Sequence, residues 1–243
     1  MSRRGVVLTG RKAGEARDLL EAAGLEVHHL PAIALCPPAD PGALSRAVAE
    51  QSEHDDLVFT SAAAVTAFVE AAEALGVPTF GSARIVAVGM ATARALEAAG
   101  AEVALVGEGG GAELAAAYPE GSLVGRRILL PRAEAGREEF PEAARAAGAE
   151  VTVVAAYCTL PRPEVGEAIG ELIASGGVKA VCFASPSAVE AVAAGLSESS
   201  WESFTAVAIG ETTASALRAI GVEPVVAGEP SGTGLAEAVL SLS

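Results

Sequence analysis

Small hydroxyl residues and glycines mark four turns at which a short apolar run gives way to an amphipathic stretch. Turns of this kind lie outside the carboxyl ends of parallel strands, where α/β proteins bind their ligands. The helix that begins there offers free N–H groups and a partial positive charge, so the chemistry indicated is the binding of an anion. The candidate binding residues at these turns are Ser61, Ala62, Gly89, Thr92, Ser185, Pro186, Ser187, Gly210, Glu211, Thr212 and Thr213.

Helix capping is the simpler interpretation of each turn taken alone. Ser185 followed by Pro186 combines an N-cap serine with a proline at the first helical position. Four matched turns favour a binding surface instead, because several helix starts would then be directed into one cleft. A helix start stabilises a nearby anion by about 0.3–1 kcal/mol when it is exposed.

Motifs of standard catalytic machinery are missing from the sequence. It contains no P-loop and no Gly-x-Ser-x-Gly elbow, and the spacing in Gly107-Glu-Gly-Gly-Gly111 is not that of a dinucleotide site. That glycine segment indicates a strand end followed by a helix start. Cys36, Cys158 and Cys182 are scattered, and the three histidines lie near none of them. We therefore expect neither a disulfide framework nor a metal site.

The formal net charge of −15 restricts the partners that this chain can bind. Nucleic acid is not expected, because its binding depends on clustered Lys and Arg. The charge also opposes capture of an anionic small molecule, but at cell ionic strength it is screened beyond about 8 Å. No apolar run approaches the ~20 residues of a membrane span, and the first residues lack the apolar region of a signal peptide. We expect a cytoplasmic protein that makes no membrane contact.

Apolar runs alternate with helical patterns along the whole chain, and the pattern occurs twice. Val86–Glu102 aligns with Val207–Glu223, with 10 of 17 positions identical, and the first unit recurs where Gly24–Val27 matches Gly148–Val151. Alternating strands and helices predict parallel sheets with helices on both faces. Two copies with a long period indicate duplicated domains rather than a solenoid. The predicted fold is α/β, with two similar doubly wound parallel-sheet domains joined by a two-stranded linker.

The pairing of the four repeat pieces is decided by their connections. The second piece runs into the third through the short loop 119–125, whereas the other two junctions contain prolines that favour extended chain. We predict one discontinuous domain of residues 1–33 and 162–243, a second of residues 38–157, and linkers 34–37 and 158–161. Each domain would have five strands. Pairing of the first piece with the second remains open on periodicity alone.

Several of these motifs together resemble the uroporphyrinogen-III synthase family. The resemblance rests on Val58–Ser61, Phe183–Val189, Val207–Leu217 and Tyr157, in this order and in a duplicated setting. It implies two α/β domains in which the N-terminal piece completes the C-terminal domain. It also implies a cofactor-free reaction, in which hydroxymethylbilane loses water and closes to uroporphyrinogen III with inversion of the last pyrrole ring. Orientation of a reactive chain would account for most of that catalysis.

The resemblance also assigns roles to individual residues. Tyr157 would be the catalytic proton donor, since a tyrosine hydroxyl is protonated at neutral pH; its alternative role is an aromatic plug in an inter-domain strand. Ser61, Ser185, Thr212 and Thr213 would contact carboxylate arms, largely through backbone N–H groups. Gly89 and Thr92 are their repeat counterparts. Arg11 follows the first strand, although Gly10 separates it from the threonine that it follows directly in the family.

Other functions compete with this interpretation. A transferase of activated sugars or nucleotides would need a phosphate-binding loop or metal-binding acids, and an exported hinge-type sensor would need a signal sequence. A non-catalytic, tetrapyrrole-binding or regulatory relative of the synthase is the stronger alternative. We expect a monomer whose domains close over hydroxymethylbilane, with a possible transient hand-over from hydroxymethylbilane synthase.

Overall fold

A computed structural model describes residues 5–11, 13–107 and 110–242 of the chain. Strands and α-helices alternate through these residues, with short 3₁₀ turns at Gln51–Glu53 and Glu198–Ser203. The strands are β1 (Gly5–Leu8), β2 (Val27–His29), β3 (Ile33–Cys36), β4 (Asp56–Phe59), β5 (Arg84–Val88), β6 (Val103–Gly107), β7 (Arg127–Ala133), β8 (Glu150–Pro161), β9 (Val178–Phe183), β10 (Thr205–Ala208) and β11 (Val225–Val226). The helices are α1 (Gly14–Ala22), α2 (Pro41–Ala49), α3 (Ala62–Leu75), α4 (Met90–Ala98), α5 (Gly111–Ala116), α6 (Glu139–Ala146), α7 (Glu164–Ala174), α8 (Pro186–Gly195), α9 (Glu211–Ala219) and α10 (Gly232–Leu240).

The chain divides into two compact units. Unit 1 consists of Met1–Ala34 and Leu160–Ser243, and unit 2 consists of Leu35–Thr159. Both divisions fall inside the segments that the sequence predicts as linkers, at residues 34–37 and 158–161. Within the described ranges, the helices are all too short or too polar to cross a membrane.

Unit 1 contains a parallel sheet with the strand order β11-β10-β9-β1-β2, so both ends of the chain contribute to it. Side chains alternate between the two faces of a strand. In β1, Val7 packs with Phe183 on the face covered by α7, α8 and α9, whereas Val6 and Leu8 pack with Leu20 on the face covered by α1 and α10. Burial on both faces explains why the strands are continuous apolar runs.

Unit 2 repeats this arrangement, with the strand order β3-β8-β7-β4-β5-β6. Leu57 and Phe59 face a core formed with α2, α3 and α4, and Val58 faces a second core formed with α5 and α6. Without β3, the order matches that of unit 1, with β7 and β8 in place of β1 and β2. The prediction of five strands in each domain is wrong for unit 2, because residues of the predicted linker join the sheet as β3.

A buried polar network lies at the amino end of β4. The Asp56 carboxylate is fully buried and accepts hydrogen bonds from the Tyr118 hydroxyl (2.9 Å) and from Nε of Arg126 (2.8 Å). The Arg84 guanidinium lies 5.2 Å from the centre of the Tyr118 ring. Burial, reinforced by the Asp56 carboxylate, raises the pKa of the Tyr118 hydroxyl. The network therefore places one protonated tyrosine and one arginine on a single buried carboxylate, with a second arginine over the tyrosine ring.

Cys36 and Cys158 form a disulfide between β3 and β8, with their Cα atoms 5.0 Å apart. The prediction that the cysteines form no disulfide is therefore wrong for this pair. Spacing concealed it, because 122 positions separate the two residues and only the pairing of β3 with β8 brings them together. The bond joins the first strand of unit 2 to the last, so it closes nearly all of that unit into one loop.

The number of reactive thiols tests this pairing. In protein purified in air, we expect no thiol to react with a colorimetric disulfide reagent while the chain is folded. Cys182 is 1% exposed, and burial raises the pKa of its thiol to about 12. One thiol should react with the reagent in the unfolded protein, and three should react after unfolding and reduction. Reduction should also lower the free energy of unfolding by ~2–4 kcal/mol. Three thiols in unfolded, unreduced protein would contradict the pairing.

Candidate active site

Tyr157 and Ser61, predicted separately from the sequence, lie in contact within unit 2. Their hydroxyl oxygens are 3.0 Å apart, and either hydroxyl can donate. Ser61 is the N-cap of α3, where its Oγ accepts a hydrogen bond from the N–H of Ala64 at 3.2 Å. Because that N–H occupies one lone pair, the Ser61 hydroxyl proton is free to point at the phenol oxygen. Tyr157 would then direct its own proton elsewhere.

The free side of Tyr157 faces a cavity of about 290 Å³ at the carboxyl ends of β4 and β7. The starts of α5 and α6 also line this cavity. The lining residues are Thr60, Ser61, Val88, Gly110, Gly111, Arg132, Ala133, Gly136, Arg137, Glu139, Phe140, Pro141 and Tyr157. The cavity therefore combines a proton-bearing hydroxyl, two arginines and the first residues of two helices.

Arg132 is a lining residue that sequence reasoning missed. It lies near the end of β7, is only 7% exposed, and donates from Nη1 to the carbonyl of Arg137 and from Nη2 to the carboxylate of Glu138. Its Nε is buried and has no acceptor among the described residues. Nothing in the local pattern separates it from the exposed arginines. The signal that could have found it is the repeat, which sets a glycine, Gly10, at the same place once Val6–Leu8 is aligned with Ile128–Leu130.

Gly110 and Gly111, from the glycine-rich segment 107–111, line this cavity at the start of α5. Gly107 ends β6 and Gly110 is the N-cap of α5, as a strand end followed by a helix start requires. A Cβ at Gly111 would lie 2.7 Å from the backbone nitrogen of Phe140, so only glycine allows α5 and α6 to approach this closely. Glu108 and Gly109 lie outside the described residues.

The start of α4 lies beside Val88 but contributes none of the predicted residues to the cavity. Gly89 is its N-cap and adopts a φ of 80°, which favours glycine. Met90 is exposed, whereas Thr92 is buried in the core. The side chain of Thr92 therefore serves packing, and a role of Thr92 in binding stays a prediction.

In unit 1, Ser185 repeats the geometry of Ser61. Its Oγ accepts from the N–H of Ala188 at 3.2 Å, and Pro186 occupies the first turn of α8. Ser187 is exposed and Ala62, the residue after Ser61 in unit 2, is half-buried. The capping prediction is thus correct at both serines, and the difference is that Ser61 also contacts a tyrosine.

The start of α9 differs from the start of α4 in the backbone conformation of its N-cap glycine and in its charge. Gly210 has an extended backbone, and Glu211 forms an ion pair with Arg218. Thr212 is exposed, but the Thr213 side chain is buried and its N–H donates to the carbonyl of Gly210 at 3.1 Å. Thr213, like Thr92, therefore belongs to the core. The exposed candidates here are Glu211 and Thr212.

Unit 1 has its own cavity, of about 310 Å³, at the place equivalent to the cavity of unit 2. The pairs of repeat partners that line the two cavities include Gly111 with Gly232, Val88 with Ile209, Glu139 with Glu15, and Arg132 with Gly10. Arg11 is exposed and does not line this cavity, although Gly10 does. The duplication thus produced two cavities, of which only the one in unit 2 holds a buried arginine and a tyrosine.

Comparison with known proteins decides the family. The family model described as uroporphyrinogen-III synthase HemD matches residues 14–237, which is nearly the whole chain. The chain belongs to the uroporphyrinogen-III synthase family. The resemblance drawn from the sequence motifs is confirmed, and with it membership of a family of lyases of tetrapyrrole biosynthesis.

Relatives of the uroporphyrinogen-III synthase family support this membership to different extents. A protein named uroporphyrinogen-III synthase from Synechococcus elongatus is 32% identical over 160 residues, which span 62% of this chain and 59% of the relative. The alignment thus covers about three fifths of the curated relative's length. A mutant uroporphyrinogen III synthase from Thermus thermophilus has a TM-score of 0.69 at 27% identity, with 98% of this chain and all of that chain covered.

A uroporphyrinogen-III synthetase from Helicobacter pylori 26695 shares the fold of this chain. Its TM-score is 0.68 with 99% of this chain and all of that chain covered, and at 19% identity the likeness shows the fold alone. The predicted fold class, two doubly wound parallel-sheet domains, is confirmed by these structures. The predicted domain bounds and site residues of this family member stay predictions.

Proposed function

We propose that this chain is a uroporphyrinogen-III synthase, which closes hydroxymethylbilane to uroporphyrinogen III with loss of water and inversion of the last pyrrole ring. Family membership supports the reaction class. The observation that carries the proposal to particular residues is the contact between Tyr157 and Ser61 on the wall of the cavity in unit 2. No cofactor enters the proposed reaction. Among the described residues, no three His, Cys, Asp or Glu side chains cluster as metal ligands would.

In the proposed reaction, Tyr157 gives its proton to the hydroxyl that leaves the substrate. The leaving oxygen takes that proton and departs as water, so the transient phenolate must be stabilised. Ser61 can donate to the phenolate oxygen across 3.0 Å, and the N-terminus of the 14-residue helix α3 adds a partial positive charge beside it. Ring closure releases a proton from the terminal pyrrole, which restores the tyrosine.

The substrate carries eight carboxylate arms, and the chain offers several groups for anions despite its charge of −15. In unit 2 these are Arg132 and Arg137. In unit 1 the exposed helix starts at Ser187 and Thr212 are candidates, through their backbone N–H groups. A cytoplasmic location, a monomeric state and a hand-over from hydroxymethylbilane synthase remain parts of this proposal.

Isomer analysis tests the proposed function. Hydroxymethylbilane is supplied to the purified protein, the products are oxidised, and the isomers I and III of uroporphyrin are separated by chromatography. We expect isomer III to dominate, because unassisted closure retains the ring order and gives isomer I. Heat-inactivated protein and buffer alone serve as controls.

A product mixture no richer in isomer III than the buffer control would overturn the proposal. In that case, binding of uroporphyrin III without turnover would favour the alternative, a non-catalytic tetrapyrrole-binding relative. Formation of isomer III by the same protein excludes that alternative, since a binding protein would not change the order of the rings.

A further inference from the structure

Arg132 carries a positive charge on the wall of the unit 2 cavity at unusual depth. It is 7% exposed, and arginine at that depth requires an anionic or strongly polar partner. Its guanidinium is held by the carbonyl of Arg137 and the carboxylate of Glu138. Both partners belong to the short segment between β7 and α6 that also lines the cavity. Among the described residues, the charge of Arg132 is therefore compensated within this one segment, by the carboxylate of Glu138.

The duplicated fold does not need a charge at this position. Strand pairing aligns Val6–Leu8 with Ile128–Leu130, so the residue that corresponds to Arg132 is Gly10, which lines the equivalent cavity of unit 1. Both strands occupy the same place in their sheets. A glycine thus meets the structural requirement in one copy, and the arginine in the other copy calls for a reason beyond folding.

Glu138 is suited to leave Arg132 when a competing anion arrives. Its side chain is half exposed, at 52%, whereas the arginine side chain is 9% exposed. Gly136 packs against the arginine, and a Cβ there would lie 2.7 Å from Cδ and 3.1 Å from Nε of Arg132. The guanidinium is therefore fixed in position, while the carboxylate that neutralises it can rotate into solvent.

We propose that Arg132 is the receptor for one carboxylate arm of the substrate and that Glu138 occupies this receptor until the arm displaces it. The inference rests on the proposed function and adds a specificity-determining residue to it. A carboxylate arm can accept the Nη2 hydrogen bond that Glu138 accepts, so the exchange preserves this bond and keeps the buried charge neutralised. A ligand without a carboxylate placed to contact Arg132 therefore does not displace Glu138.

Binding of uroporphyrin III, the stable oxidised product, tests the exchange without turnover. The dissociation constant is measured by fluorescence titration for the full-length wild type, Glu138→Gln, Arg132→Gln and the double variant. Glu138→Gln should bind more tightly by roughly threefold to tenfold, because the competing carboxylate is gone. Arg132→Gln should bind at least about tenfold more weakly. In the Arg132→Gln background, Glu138→Gln should have no further effect.

Glu164→Gln is the matched control, since it removes the carboxylate of another arginine pair, Arg162–Glu164, outside the cavity. It should bind like the wild type. Tighter binding by Glu138→Gln cannot result from misfolding, so the test stands even if Arg132→Gln is unstable. A dissociation constant that Glu138→Gln leaves unchanged or raises would overturn the inference. If the wild type also makes isomer III, that result leaves the proposed function intact. A wild type that makes no isomer III overturns the proposed function instead.

Discussion

Replacement of Tyr157 by phenylalanine should lower the rate of isomer III formation by ~100-fold, since a positioned proton donor contributes ~10²–10⁴-fold to a rate. The substitution removes one oxygen and keeps the ring in β8. The hydroxyl of Tyr157 contacts Ser61 and faces the cavity, so its removal should lower kcat and leave the binding of uroporphyrin III unchanged. The measurement is the initial rate of isomer III formation, corrected for spontaneous closure to isomer I.

Tyr118→Phe is the matched control, because Tyr118 is the only other tyrosine in the sequence and also belongs to unit 2. Its hydroxyl contacts Asp56 rather than the cavity, so the rate should stay at the wild-type value. Ser61→Ala should fall between the two, since one hydrogen bond contributes about 0.5–1.5 kcal/mol, roughly two- to tenfold in rate. A wild-type rate in Tyr157→Phe would remove Tyr157 as the proton donor.

The second large effect is expected at Asp56. Asp56→Ala should lower the free energy of unfolding by ~3–5 kcal/mol, the cost of breaking a buried ion pair by removing one partner. It would leave the Tyr118 hydroxyl and Nε of Arg126 without their acceptor. Tyr118→Phe should be milder, at ~1–3 kcal/mol, because Arg126 still neutralises the carboxylate. Denaturant unfolding followed by far-UV circular dichroism measures both.

Trp201, the only tryptophan, provides an internal reference for this measurement. It stacks on Phe183 in unit 1, with ring centres 5.8 Å apart, so its fluorescence reports that unit. If Asp56→Ala shifted only the unfolding transition followed by Trp201 fluorescence, the destabilised region would lie outside unit 2. That result would contradict the expected role of Asp56. Equal stability of Asp56→Ala and wild type would contradict it directly.

Alkaline pH gives a further check on the same network. The pKa of Tyr118 is raised in the folded chain, so the folded state holds this proton more tightly than the unfolded state does. The stabilisation is complete below the unfolded pKa of about 10 and is lost as the pH rises above it. The stability difference between wild type and Tyr118→Phe should therefore shrink above about pH 10. A constant difference would contradict the linkage.

Local patterns determined the elements of this protein. Apolar runs such as Leu57–Phe59 become strands because both faces of each sheet are covered, and Ser61 and Ser185 cap helices because their oxygens reach an N–H three residues on. The repeat and the motif order also identified the family. These features depend on neighbours within a few positions or on an internal copy, so one sequence contains them.

Contacts across the fold were decided only by the tertiary structure. Cys36 meets Cys158, Asp56 meets Tyr118, and Ser61 meets Tyr157, each across a long stretch of chain that carries no periodic signal. Burial likewise placed the side chains of Thr92 and Thr213 inside the protein and made Arg132 the deepest charge of the cavity wall. A residue type states what a side chain can do, whereas its partner and its exposure follow from packing. The sequence alone therefore predicted the duplicated α/β scaffold and, through the family resemblance, Tyr157. The fold decided that Tyr157 meets Ser61 and that a buried arginine lines the same cavity.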